Sequence, residues 1–224
     1  MQNSSDFEKY LKSKKINSGY QNYYKKNASN YLYEPGSRPI DVFSHLLENR
    51  ILVLTGEVDD YICDLLKANL LYLENINSDK DISIYINSGG GSVYSGLGLL
   101  DVMDYIKPDI STVNTGLAAS MAAVILCSGA KGKRKALKRS RTMIHQPMTG
   151  FGSYAQATDI EIESREINSL KRELYEIISE RTGQKYDKVF KDGDRDYWMN
   201  AIESKKYGMI DEIIQKRDSK KNKK

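Results

Sequence analysis

Two histidines, His45 and His145, limit the acid–base chemistry open to this chain. A serine nucleophile needs an adjacent base, so one of them must serve any reactive serine. The serine that stands out is Ser120, in the string Gly116-Leu-Ala-Ala-Ser-Met-Ala-Ala123. Taken alone, a hydroxyl there is explained by packing or by capping a helix start. The chemical reading puts it at a helix N-terminus, where free amides and the helix dipole stabilise a developing oxyanion. His145 follows Met143-Ile144 and precedes Gln146-Pro147, at the end of a predicted strand. Strand ends are where α/β sheets build their sites. His45 stands among Phe43, Leu46 and Leu47 in a mixed polar and apolar helix, and reads as a surface or interface residue.

Three acids, Asp192, Asp194 and Asp196, precede Tyr197-Trp198. They read either as a solvated turn or as a source of one carboxylate to orient the histidine. The residues alone do not choose among the three. A calcium loop is disfavoured, because Arg195 interrupts the acids and no Glu follows at the twelfth position. The remaining constellation is Asn87-Ser-Gly-Gly-Gly-Ser-Val93. It lacks the Gly-Lys-Ser/Thr ending of a phosphate loop. Consecutive glycines instead let a substrate backbone come close and leave amides free to donate.

The elements that must carry these residues alternate between strand and helix. The pattern predicts a helix over DVFSHLLENR and strands at 51–56, 82–86 and 111–114. It predicts helices at 59–74 and 92–106, and a glycine-rich turn after residue 86. A long helix is expected over 159–181, with Thr158 and Glu161 as its capping box. Its apolar stripe is Ile160, Ile167, Leu170, Leu174, Ile177 and Ile178, suited to the core or a subunit interface. Strands alternating with helices imply a largely parallel α/β sheet.

Composition narrows the function classes. Of 34 basic residues, six lie in 1–30 and six in 216–224, regions that hold only three acids. The body therefore carries 22 basic and 27 acidic residues and offers no basic face for nucleic acid. No apolar run is long enough to span a membrane. The N-terminus lacks the apolar core of a signal peptide. Cys63 and Cys127 sit in apolar surroundings and are expected as free buried thiols of a cytoplasmic protein. The organisation expected is a flexible arm over 1–36, one domain over 37–215, and a basic tail over 216–224.

The strings YINSGGGSVYSG, GLAASMAA, GAKGKR, MIHQP, QATDIEI and YGMID occur in this order. Together they resemble the caseinolytic protease ClpP family of serine peptidases, from about Asp41 to Ile214. The resemblance implies a crotonase-like fold of repeated ββα units with a protruding handle helix, matched by 159–181. It implies a Ser120, His145 and Asp196 triad, with oxyanion donors at the amides of Gly91 and Met121. It implies no metal and no cofactor. The implied assembly is a tetradecamer of two stacked heptameric rings, fed with unfolded protein by an AAA+ unfoldase of the Clp type. Tyr85 falls in the strand that helps line the unfoldase-docking pocket. Position 89 is Gly where the family usually has Pro, and the loop after His145 is longer than usual. Substrate is expected as an added strand between Gly90, Ser92 and Val93 on one edge and the loop 149–154, including Thr149, on the other.

Two rival readings share these features. One is a catalytically silent ring subunit, which would normally have lost a triad residue. The other is a crotonase-type acyl-CoA enzyme, which needs an amide oxyanion hole but no Ser–His–Asp set.

Overall fold

The computed structural model describes residues 31–32, 40–149 and 156–215 of the chain. It divides into two units, residues 1–49 and 50–224. In the first, strands β1 (Tyr31–Leu32) and β2 (Ile40–Asp41) pair antiparallel and lead into helix α1 (Val42–Glu48). His45 lies on α1, with Nδ1 3.3 Å from Glu48 Oε2.

The second unit is a parallel sheet in the order β3 (Ile51–Val58), β4 (Ile82–Gly91), β5 (Ile110–Ala119), β6 (Arg134–Leu137) and β9 (Glu212–Ile214). Helices α2 (Asp60–Ile76), α3 (Val93–Tyr105) and α4 (Met121–Cys127) make the crossovers that parallel pairing requires. Asp59 caps α2 by accepting from Ile62 N at 2.8 Å. Along β4, Ile82, Ile84 and Ile86 point into the core, while Tyr85, Asn87 and Gly89 point outward. α4 is buried along its whole length.

On the side away from β4, β5 serves two partners. Its first part, Thr112–Asn114, pairs with β6, and its end, Leu117–Ala119, pairs with β7 (Arg141–Ile144). β7 pairs antiparallel with β8 (Tyr197–Asn200). Helices α5 (Ala157–Thr182), α6 (Tyr186–Asp192) and α7 (Ala201–Tyr207) complete the unit. Arg134, buried at the start of β6, ties three elements together. Its guanidinium donates to both Asp211 carboxylate oxygens at 2.9 and 2.6 Å, and to the carbonyls of Cys127 and Arg181 at 3.2 and 2.6 Å. Burial alone would raise the Asp211 carboxyl, but Arg134 and the amides of Arg134 and Gly132 hold it below the ordinary carboxylate range.

Two expectations need correction. The glycines after Ile86 do not form a turn: β4 continues through Gly91, opposite Glu57 and Val58 of β3. The register shifts between Thr55 and Glu57 and between Ile86 and Ser88, bulges that let the chain bend without leaving the sheet. The long helix begins at Ala157 with Gln156 at its N-cap and no side-chain capping bond, so Thr158 lies inside it. The apolar stripe of α5 is buried in this chain only towards its end, at Leu174 and Ile178. Ile167, Leu170 and Ile177 are half-buried, and Ile160 is 44% exposed. At the far end, Gly183 in the left-handed region closes the helix, its amide donating to Ser179 O at 2.9 Å. Cys63 and Cys127 are both free and buried, and burial pushes their thiols up to about 11 and about 12.

Candidate active site

Ser120 sits between the end of β5 and the start of α4, with φ 54° and ψ −128°. Among the described residues only Arg50 shares a positive φ without being glycine. Such a backbone costs roughly 1–3 kcal/mol and persists only where its surroundings impose it. Here the surroundings are visible. Ser120 N donates to Met143 O of β7 at 2.9 Å, and Ser120 O accepts from Ala123 N at 2.9 Å. The apolar α4 is locked in the core behind it. The outcome is a sharp strand-to-helix turn that presents the hydroxyl away from the sheet.

Gly90 leaves room for that turn. A Cβ on Gly90 would stand 2.6 Å from Ser120 Cβ, 2.7 Å from Ala119 O and 3.0 Å from Met121 N. A Cβ on Gly91, the expected oxyanion donor, would meet Val58 O at 2.3 Å, so this glycine packs closely on β3. The glycine packed on Ser120 is therefore Gly90, whose own amide donates to Ser88 Oγ at 3.1 Å. Met121 N is the first amide of α4, one of those a helix leaves without an internal partner.

His145 follows β7 directly. Its Nε2 is 2.9 Å from Ser120 Oγ and its Nδ1 is 3.0 Å from Asp196 Oδ1. A carboxylate only accepts, so Nδ1 carries the proton toward Asp196 and the Nε2 lone pair faces the serine hydroxyl. Register explains the choice among the three acids. Ile144 pairs with Tyr197 across β7 and β8, so the residues just beyond that pair, His145 and Asp196, face each other. Asp192 closes α6 and pairs with Lys188 at 2.5 Å. Asp194 offers its backbone carbonyl to Gln146 Nε2 at 2.8 Å. The His145 side chain is 12% exposed and that of Asp196 58%, so water screens the carboxylate more than the imidazole.

The site opens into a groove of about 660 Å³ lined by Glu57, Asn87, Gly89, Gly90, Leu117 and Met148, with Ser120 and His145 at its floor. Beneath the serine lies a pocket of about 20 Å³ among Val93, Met121, Val124, Ile144, Leu174 and Ile178. Val93 lines both. Two expected substrate contacts have other work. Ser92 N donates to Val58 O at 2.7 Å, and Ser92 Oγ caps α3 by accepting from Ser95 N at 3.3 Å. Thr149 Oγ1 bonds Glu163 Oε1 at 2.7 Å. The rest of that loop, 150–154, is outside the described residues.

The sequence reading missed Gln146 and Asn87 as supports. Gln146 bridges Asp194 O to Lys171 Nζ at 3.0 Å, and Lys171 lies 4.5 Å from the centre of the Phe190 ring. This brace holds the segment leading to Asp196 beside the one carrying His145. Asn87 Oδ1 accepts from Leu117 N at 3.1 Å, which fixes the end of β5 against β4. Gln146 adjoins His145 in sequence and was findable there; nothing local marks Asn87 as more than a loop residue.

A family model described as Clp protease matches residues 34–217. The chain is 57% identical over 178 residues to an ATP-dependent Clp protease proteolytic subunit of Bacteroides fragilis, covering 80% of this chain and 85% of that one. A subunit of the same name from Bacteroides thetaiotaomicron is also 57% identical over 178 residues, covering 80% of each. One from Porphyromonas gingivalis is 54% identical over 177 residues, covering 79% of each.

Proposed function

Because the chain belongs to the Clp protease family, we propose that it is the serine endopeptidase subunit of an ATP-dependent Clp protease, with Ser120, His145 and Asp196 as its catalytic residues. The observation that carries the reading is the unbroken series of contacts from Ser120 Oγ through His145 to Asp196, at 2.9 and 3.0 Å. Ser120 Oγ attacks the peptide carbonyl carbon while His145 Nε2 takes the hydroxyl proton. Asp196 holds the ring in the required tautomer and stabilises the imidazolium that forms. The carbonyl oxygen becomes an oxyanion, received by the amides of Met121 and Gly91. Collapse of the intermediate breaks the C–N bond, and His145 returns its proton to the leaving amine. Water then attacks the acyl-enzyme with His145 again as base. No step calls for a cofactor.

The same reading gives residues 37–215 as the peptidase domain, between an arm over 1–36 and a basic tail over 216–224. It gives two stacked heptameric rings enclosing the serines, in the cytoplasm, with a Clp-type AAA+ unfoldase supplying unfolded polypeptide. Enclosure keeps an activated serine from folded neighbours. The half-buried and exposed residues along α5, from Ile160 to Leu170, suit burial against another subunit. Among the described residues no helix is long and apolar enough to cross a membrane.

A fluorophosphonate probe tests the reading, because only an activated serine reacts. Wild-type protein should be labelled on Ser120, and Ser120→Ala and His145→Ala should each lose labelling and ~10⁶-fold in kcat. A silent ring subunit or an acyl-CoA enzyme would take up no probe at Ser120.

A further inference from the structure

Resting on that reading, we propose that Glu57 makes an acidic subsite beside the scissile bond, so that the enzyme prefers peptides with a lysine or arginine there. Of the described side chains lining the groove, Glu57 alone belongs to the strongly acidic or basic residues. The other polar side chains in the groove already make hydrogen bonds. Ser120 and His145 bond each other, and Asn87 Oδ1 holds Leu117 N. Ser88 Oγ donates to Gly56 O at 2.5 Å and accepts from Gly90 N at 3.1 Å. Glu57 is exposed, and no hydrogen bond or ion pair joins its carboxylate to any other described residue.

Its position is set by the sheet. Glu57 on β3 is the register partner of Gly90 on β4, and Gly90 packs on Ser120. The Glu57 side chain also crosses Gly91, with Cγ at 3.0 Å from where a Cβ would stand. Strands lie about 4.8 Å apart, so the Glu57 backbone falls within about 10 Å of the serine. An extended peptide advances about 3.3 Å per residue. A basic side chain one to three residues from the cleaved bond can therefore reach the carboxylate, and a glutamate in the same place meets repulsion. The groove is open to water, so the selectivity should be moderate and sensitive to salt.

The test uses the assembled wild-type enzyme and internally quenched peptides that differ at one position. Lys, Arg, Gln or Glu is placed in turn from three residues before to three after the cleavage site, which mass spectrometry confirms. At one position Lys and Arg should exceed Gln by about two- to tenfold in kcat/KM, with Glu below Gln. The Lys-to-Gln ratio should approach one in Glu57→Gln and invert in Glu57→Lys. If these variants fail to assemble, the wild type still decides, because its ratio should fall toward one as salt rises to about 0.5 M. Cleavage of all peptides with no position preferring Lys over Gln would overturn the acidic subsite and leave the peptidase reading standing. So would a preference that survives intact in Glu57→Gln. A wild type that cleaves none of the peptides would overturn both.

Discussion

Consider what one methyl group does at each of the three consecutive glycines beside Ser120. At Gly89 an added Cβ meets no atom within 4 Å and the backbone is outside the left-handed region. Gly89→Ala should therefore stabilise the fold by about 0.4–1 kcal/mol through the unfolded chain, and Gly89→Pro should act the same way if its ring fits. At Gly90 the φ is +94°, which costs a side-chain-bearing residue about 1–2 kcal/mol. The methyl would also sit 2.6 Å from Ser120 Cβ and 2.7 Å from Ala119 O, an overlap worth about 1–3 kcal/mol. Together these give a loss of roughly 2–5 kcal/mol. The strain is relieved only by moving the turn that carries Ser120, and a displacement of about 1 Å costs about 10²-fold in rate. At Gly91, with φ +153°, the methyl overlaps Val58 O at 2.3 Å, so the damage falls on the β3–β4 ladder. Thermal unfolding together with fluorogenic peptide hydrolysis separates the cases. At roughly 2–4 °C per kcal/mol, Gly90→Ala should melt about 4–20 °C lower and Gly89→Ala slightly higher. A Gly90→Ala enzyme of native activity, or a Gly89→Ala enzyme as damaged as Gly90→Ala, would refute the reasoning.

Asp196→Asn should lower kcat about 10⁴-fold by favouring the wrong imidazole tautomer, whereas Asp192→Asn and Asp194→Asn should keep most of the activity; the reverse order in peptide assays would unseat Asp196. Asp211→Asn should destabilise the fold by about 3–5 kcal/mol, because it leaves Arg134 buried beside a neutral amide. The Asp211 carboxyl is held below its ordinary range, so its contribution is present above about pH 4 and is lost as pH falls through the folded value. Denaturation curves from pH 7 to pH 2 should show part of the wild-type acid slope missing in that variant. Leu170→Glu, on the half-buried face of α5, should split the assembly and lower activity, read by size-exclusion chromatography with light scattering; a fully active monomer would sink the enclosed-chamber reading.

Ser120 and His145 were legible because each sits in a short string whose neighbours already say strand end or helix start. Asp196 was not, since three acids at alternate positions look alike until β7 and β8 are paired, and pairing is a long-range property. The Gly89–Gly91 segment was read as a turn because glycine favours turns locally. Here its lack of side chains serves close packing against Val58 and Ser120, which composition cannot express. Thr158 and Glu161 have capping-box spacing, but Ala157 extends the helix past them. The alternation of elements, and hence the parallel sheet, followed from periodicity because each helix buries a stripe against it. Glu57 carried no local signal, since only the β3–β4 register brings it to the groove.

The three residues of the proposed triad hang from one ladder: Ser120 follows β5, His145 follows β7, and Asp196 precedes β8. Their relative placement is thus counted out in backbone hydrogen bonds between neighbouring strands. Because side chains alternate faces, gaining or losing one residue within 141–144 or 197–200 would turn His145 or Asp196 to the opposite side of the sheet. The intervening 146–195 segment, with its long helix, is free of that constraint. There placement rests on side-chain contacts instead: Gln146 with Asp194 and Lys171, and Leu174 and Ile178 against the pocket under Ser120. The fold therefore divides the site's supports into stretches whose length is set by strand register and one whose placement is set by side-chain contacts.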